Sequence, residues 1–254
     1  MFSIPAIDDR TEQSLLEFIN AWVSGNNEIT TDLTLLDQAF NFALPRTIFL
    51  KSLPNGAVVM DVGAGDGSLV NYKLWPFFER TDLEMHALSL DKGKNFDSYD
   101  SYEIKNFETD PDIFPGMKFD AMVCCHFLEH MHDPAGAIDF FSQKIQPGGR
   151  LYLEWPHPVT KKFPSCNALV DTGASITTLN FFDDSTHIEA WPGDHVIALL
   201  EQAGFSIETA GRIHLPWIGE QMKNHAKRAN DTIRMTIGSW AALGWSQYII
   251  ASRR

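Results

Sequence analysis

Val58-Val59-Met60-Asp61-Val62-Gly63-Ala64-Gly65-Asp66-Gly67-Ser68 is the stretch on which the reading of this chain turns. Its first half is apolar without alternation, as in a strand buried on both faces of a parallel sheet. Its second half alternates glycine with small residues. Glycine reaches positive φ at little cost and lets a ligand lie against bare backbone, so a strand, this turn and a helix in succession read as a binding loop. The dinucleotide fingerprint is G-x-G-x-x-G, whereas the spacing here is G-x-G-x-G and Ser68 takes the place of the last glycine. A phosphate ligand is disfavoured. Asp61 at the strand end instead suits a ligand carrying a cationic amino group.

Outward from this loop, short apolar strands alternate with helices. A helix follows over about 68–79, with Pro76 kinking or ending it. Strands fit 85–90, 102–105, 119–124 and 150–154, and a helix fits 134–145 before Gln146-Pro147-Gly148-Gly149. Residues 193–203 read as a helix closed by Gly204, 205–209 as a strand and 247–251 as the last strand. The alternation predicts an α/β doubly wound sheet. Upstream, Thr11 and Ser14 offer caps to an apolar-periodic helix through Leu15 to Val23. A second such stretch through Leu33, Leu36 and Phe40 ends at Pro45. One domain is expected, with residues 1–54 as a helical cap and 55–155 as the cofactor-binding core. Residues 156–192 and 216–242 are insertions forming a substrate lid, since long connections often carry function.

The second strand ends Ala87-Leu88-Ser89-Leu90-Asp91. A carboxylate there accepts both hydroxyls of a ribose; the alternative is an Asp that merely caps the next turn. Twenty basic against thirty-three acidic side chains, a net charge of −13, disfavour nucleic acid and anionic membrane as partners. No apolar run is long enough to span a bilayer, and Asp8 and Asp9 interrupt the N-terminus where a secretory signal would be apolar. Three cysteines, two of them adjacent at 124 and 125, make no disulfide framework, so a cytoplasmic location is expected.

In these features the chain resembles the class I S-adenosylmethionine-dependent methyltransferases, in their small-molecule branch, over about 55–210. Asp61 to Gly67 resembles the family's D-x-G-x-G-x-G loop, and Asp91 matches its ribose-binding acid. Phe119-Asp120-Ala121-Met122-Val123, followed by Phe127-Leu128-Glu129-His130 and Asp133-Pro134, is similar to its F-D-x-V…L-E-H-x-x-D-P stretch. Pro147-Gly148-Gly149-Arg150-Leu151 and Leu199 to Phe205 resemble its P-G-G-x-L and L-L-x-x-A-G-F segments. The resemblance implies a seven-stranded mixed sheet, Rossmann-like, with one antiparallel strand near the C-terminus. It also implies S-adenosylmethionine as cofactor, S-adenosylhomocysteine as product and a small-molecule acceptor. Asp61, Gly63, Ala64, Gly65 and Gly67 would hold the methionine part and Asp91 the ribose. Asn106 stands where relatives commonly carry an acid near adenine; an amide can pair with a base edge. The fourth strand's end, Cys124 to Phe127, would face the sulfonium with backbone carbonyls and the Phe127 ring. His126 takes a position that is more often acidic in relatives.

Residues 126–130 also spell H-x-x-E-H, a pattern of inverted zinc peptidases. That chemistry needs both histidines on one helix, whereas Pro134 starts the next helix and leaves 126–133 as a crossover loop or single turn. No metal is therefore expected, although the His and Asp clusters keep a metal-dependent O-methyltransferase as an alternative. Glu129 and His130 can equally satisfy local backbone groups. A hydroxyl acceptor benefits from a base, and His126, His157 and His187 are the candidates by position, each with a purely structural alternative. His195 fits the first turn of a helix capped by Asp194. Aromatic residues of the insertions, among them Trp155, Phe163, Phe181 and Trp191, suit a stacking acceptor or simple packing. The leading expectation is O-methylation of a sugar or other polar metabolite. Alternatives are N-methylation of a small amine, a nicotinamide-dependent oxidoreductase, and a non-catalytic cofactor-binding protein.

Overall fold

Seven strands form the sheet, and the apolar run at its centre is the one the sequence marks as doubly buried. The structure, a computed structural model, describes residues 13, 16, 20, 33–76, 78–106, 108–110, 112–169 and 175–254. The strands are β1 (Val58–Val62), β2 (Glu84–Ser89), β3 (Ser101–Ile104), β4 (Phe119–Cys125), β5 (Ile145–Pro156), β6 (Phe205–Arg212) and β7 (Ser246–Arg253). Their order is β3-β2-β1-β4-β5-β7-β6, with β7 antiparallel to both of its neighbours and the other pairings parallel. The doubly wound mixed sheet with one reversed strand is thus the observed fold. The order turns back at β1 and β4, and their carboxyl ends make the crevice where open α/β sheets bind ligands.

The strand period of two sorts side chains onto opposite faces. Met60 and Val62, with Met122, Cys124 and Leu153, face a core closed by helices α3 (Pro134–Lys144) and α4 (Gly193–Gln202). Val59, Ala121, Val123 and Tyr152 face the other side, where Phe49 and Leu50 of a helix at Pro45–Lys51 cover them. That helix is α2; α1 is Leu33–Ala43, and α5 (Pro216–Ala229) and α6 (Thr232–Leu243) are the remaining longer helices among the described residues, beside a four-residue helix at Cys166–Leu169. Leu36 and Phe40 of α1 pack with Ile218 and Met222 of α5 and Ala241 of α6 in a third apolar cluster. At the crossing of α5 and α6 a Cβ on Gly219 would stand 2.5 Å from the carbonyl oxygen of Gly238, so the helices approach to backbone contact. None of the helices among the described residues is long and apolar enough to cross a membrane.

Several boundaries differ from the sequence reading for identifiable reasons. Of the helix expected over 11–23, residues 13, 16 and 20 are helical and the rest lies outside the described residues. The stretch expected to end at Pro45 ends as α1 at Ala43, and Pro45 then occupies the first turn of a further helix, α2, where a missing N–H costs nothing. The helix expected over 68–79 is a six-residue 3₁₀ helix, Ser68–Lys73, because Pro76 bars continuation and restricts Trp75. Helix α4 starts behind Pro192 with Asp194 inside its first turn, favourable to the dipole but not a side-chain cap. The second insertion, expected over 216–242, is the α5–α6 pair.

Candidate active site

The crevice is built from strand ends held in register. Val62 pairs with Leu88 on one side and Cys124 on the other, and the amides of Gly63 and Ala64 both donate to the Leu88 carbonyl at 2.9 and 3.0 Å. This pins the glycine loop over the edge. Gly63, Gly65 and Gly67 all have positive φ, +70°, +55° and +76°. A Cβ on Gly63 would meet the Phe127 ring at 2.6 Å, and one on Gly67 would meet Phe96 at 2.8 Å, whereas one on Gly65 would have only Gly63 O, at 4.0 Å. Gly65 therefore presents open backbone, while at Gly67 the packed Phe96 ring leaves no room for a side chain.

Two cavities share Gly63, Gly65 and His126. The larger, about 500 Å³, is walled by Asp91, Asn106 and Phe127 among others. The second, about 320 Å³, is walled by Asp61, Ala64, Tyr72, Cys125 and Arg46. Asp61 and Asp91 thus open onto one groove across the glycine loop. Asp61 is 4% exposed and accepts a 2.5 Å hydrogen bond from the Tyr99 hydroxyl. Burial pushes its pKa up to about 7, against the Tyr99 hydrogen bond and the charge of Arg46. Asn106 keeps its place at the far wall, with its side-chain oxygen accepting from the Glu108 amide at 2.9 Å. Cys124 does not reach the groove. It points into the α3–α4 core, and the alternation of β4 gives the cavity to Cys125 instead.

A third, smaller cavity of about 150 Å³ lies between the sheet and the helical cover. Its walls include Phe40 and Leu44 of the α1–α2 region, Ile213, and Ile237 and Trp240 of α6; its polar end is Arg46, His126 and Glu154. His126 lines all three cavities. It is also one of four non-glycine residues at positive φ (+53°) among the described residues, a strained conformation of the kind that collects at functional sites. Its Nε2 is 3.2 Å from Glu154 Oε1 and its Nδ1 3.3 Å from Glu129 Oε1. Burial disfavours the charged ring, but the two carboxylates outweigh it and hold the pKa at about 9. Burial likewise opposes the Glu154 carboxylate, yet Arg46 at 3.7 Å and His126 bring it down to about 2. The Tyr152 hydroxyl completes the set, donating to Glu154 Oε2 at 2.7 Å.

The other expected histidines sit elsewhere. His157 is a cap: its Nδ1 accepts the Val159 amide at 3.1 Å, and burial together with Arg212 lowers its pKa. His187 stacks on Phe181 with ring centroids 4.7 Å apart and approaches His130 rather than the small chamber. Arg46, Glu154 and Tyr99 were not singled out from the sequence. Glu154 carried the same signal as Asp61, a charge ending a buried strand; Tyr99 carried none.

The sheet order and a glycine-floored groove between two strand-end carboxylates define a Rossmann-like enzyme for a nucleoside cofactor with an amino-acid tail. Residues 34–210 match the family model described as methyltransferase domain, and the chain belongs to that family. It is an S-adenosylmethionine-dependent methyltransferase. It is 28% identical over 190 residues to a ubiquinone biosynthesis O-methyltransferase of Xanthomonas axonopodis pv. citri, across 70% of this chain and 73% of that one. Among solved structures it superposes on a candidate sarcosine dimethylglycine methyltransferase from Galdieria sulphuraria, with TM-score 0.54, 12% identity and 85% of each chain covered. The cyclopropane synthase MmaA2 from Mycobacterium tuberculosis gives TM-score 0.51 and 17% identity over 85% of this chain and 83% of that one. At those identities the two structures share the fold alone.

The groove fits the cofactor on its own geometry. The open backbone at Gly65 is a cradle that a side chain would fill, and Asp61 is a buried carboxylate short of a cation.

Proposed function

We propose that the protein transfers the methyl group of S-adenosylmethionine to a hydroxyl on a small molecule with an apolar, ring-sized body. The observation that carries this reading is that His126 lines the two cofactor cavities and the 150 Å³ chamber alike, so acceptor and cofactor meet at one residue. In this reading Asp61 and Arg46 flank the amino-acid tail, Asp91 takes the ribose diol, and Asn106 lies toward the base. The bound cofactor supplies an electrophilic methyl on a sulfonium. The chain's own residues supply placement, which is a large part of what such a displacement needs. Arg46, His126 and Glu154 hydrogen-bond the acceptor's hydroxyl at the polar end, while Phe40, Leu44, Ile213 and Trp240 hold its body and exclude water.

An apolar cavity of about this volume takes a benzene-sized ring, and the relative named for ubiquinone biosynthesis is an O-methyltransferase. Both narrow the expected polar-metabolite hydroxyl toward a phenol or similar alcohol rather than a sugar. Helix α6 covers this chamber with Ile237, Trp240 and Ala241. The test is a panel of phenols, sugars and small amines assayed for methyl transfer, with Glu154→Gln beside the wild type. Turnover on phenols, reduced about a hundredfold or more by the substitution while S-adenosylhomocysteine still binds, supports the reading. Turnover confined to amines or sugars overturns it.

A further inference from the structure

Glu129 is completely buried, and neither carboxylate oxygen receives a hydrogen bond. The nearest charged donor, His126 Nδ1, stands 3.3 Å from Oε1 in a geometry that makes no hydrogen bond. The charged His126 ring meets Oε1 without a hydrogen bond and leaves Oε2 with no partner, and a buried carboxylate oxygen left so is costly unless a further cation or donor meets it. Two imidazoles do converge on it. His130 follows directly in the turn after β4, and His187 arrives from the segment beyond β5; one ligand atom from each of the three residues lies within 4.8 Å of the others. Their tautomers are fixed by what the opposite ring nitrogens touch. His187 Nδ1 is 2.6 Å from the Phe181 carbonyl oxygen, and His130 Nδ1 is 3.2 Å from the Thr186 carbonyl oxygen. A carbonyl only accepts, so His187 carries its proton on Nδ1; the Thr186 hydroxyl, 3.1 Å from His130 Nδ1, gives its own proton to Asp184 Oδ1 at 2.6 Å, so it too accepts from His130, and Nε2 is left with a free lone pair on both rings. This is the outer-shell arrangement that orients histidines on a metal. Asp184, 3.8 Å from His187 Nε2, adds negative charge.

We propose that Glu129, His130 and His187 bind a divalent transition-metal ion, zinc by preference, which fastens the 175–192 segment onto the turn after β4. Two neutral imidazoles and one carboxylate are a zinc donor set that leaves a fourth position open. Bonds near 2.1 Å would draw the ligand atoms to roughly 3.4 Å apart in tetrahedral geometry, a closure of at most about 1.4 Å from their present spacing. The backbone is already poised for it, since the Glu129 carbonyl accepts the amides of Ile188 and Glu189 at 2.7 and 3.2 Å. The H-x-x-E-H pattern thus contributes its last two residues to the ion, and the third ligand comes from 57 positions further on, not from a shared helix. The site stands or falls independently of the acceptor proposed above.

The experiment strips the full chain with a chelator, then titrates it with Zn²⁺ by calorimetry and measures bound metal by mass spectrometry, with Co²⁺ absorption as a geometric probe. The expected result is one equivalent of Zn²⁺, a higher melting temperature on binding, and affinity at least tenfold weaker in each of Glu129→Gln, His130→Gln and His187→Gln. His130 is only partly buried, so its variant remains informative should the buried Glu129 variant unfold. Failure of the stripped wild type to take up Zn²⁺, or uptake by all three variants like that of wild type, overturns the assignment. S-adenosylhomocysteine binding, measured on the same metal-free protein, reports the cofactor groove separately.

Discussion

Replacing Asp61 by Asn should move stability and cofactor affinity in opposite directions. The Asp61 carboxyl is 4% exposed, hydrogen-bonded by Tyr99, and raised by burial from 3.8 to about 7. For an acid whose folded pKa is raised, the neutral form suits the fold. Below about pH 4 the group is neutral folded and unfolded and costs nothing; the cost grows as pH rises toward 7 and is complete above it. Three pKa units at 1.36 kcal/mol each set that cost at about 4 kcal/mol, an upper figure. Asn keeps an acceptor for Tyr99 without the charge. The variant should therefore melt several degrees higher than wild type at pH 8 and no higher at pH 4.

Binding runs the other way. The ammonium group of the cofactor needs the carboxylate, so wild-type affinity should fall by about tenfold at pH 6 and about a hundredfold at pH 5 relative to pH 8. The Asn variant should show no such slope. At pH 8 it should bind about ten- to a hundredfold more weakly, the worth of a hydrogen bond to a charged partner. Calorimetric titration of S-adenosylhomocysteine from pH 5 to 8, with thermal melts of both proteins, measures both effects. A wild-type affinity flat across that window, or a variant that melts lower and binds as tightly, would refute the role given to Asp61.

Gly63→Ala should weaken S-adenosylhomocysteine binding and lower stability by about 1–3 kcal/mol, because φ is +70° and the new methyl would strike Phe127 at 2.6 Å; urea unfolding and calorimetry measure the pair. His157→Ala should cost about 1 kcal/mol through the lost cap and leave cofactor affinity unchanged; a tenfold loss of affinity would place His157 back at the site. Arg46→Met should destabilise by about 3 kcal/mol or more, since it leaves the buried Glu154 without its guanidinium. A denaturation midpoint equal to that of wild type would show that Arg46 and Glu154 do not act as a pair.

The sequence by itself determined the sheet and the groove. An unbroken apolar run followed by alternating glycines has few physical solutions, and a carboxylate at a buried strand's end must meet a ligand or a partner. That is why Asp61, Gly63, Gly65 and Asp91 could be placed before any coordinates. Tertiary structure decided whatever depends on face and on distance along the chain. The pleat turned Cys124 into the core and Cys125 into the cavity, a one-residue distinction that an apolar strand does not spell out. Arg46 reached Glu154 across 108 positions, because α2 packs over β5. His126 and His130, four positions apart, were parted when the turn after β4 sent one ring toward Glu154 and the other toward His187, with Glu129 between them. Local pattern fixes periodicity and turns, which neighbours along the chain dictate; the company a buried charge keeps is set by packing between segments that share no local signal.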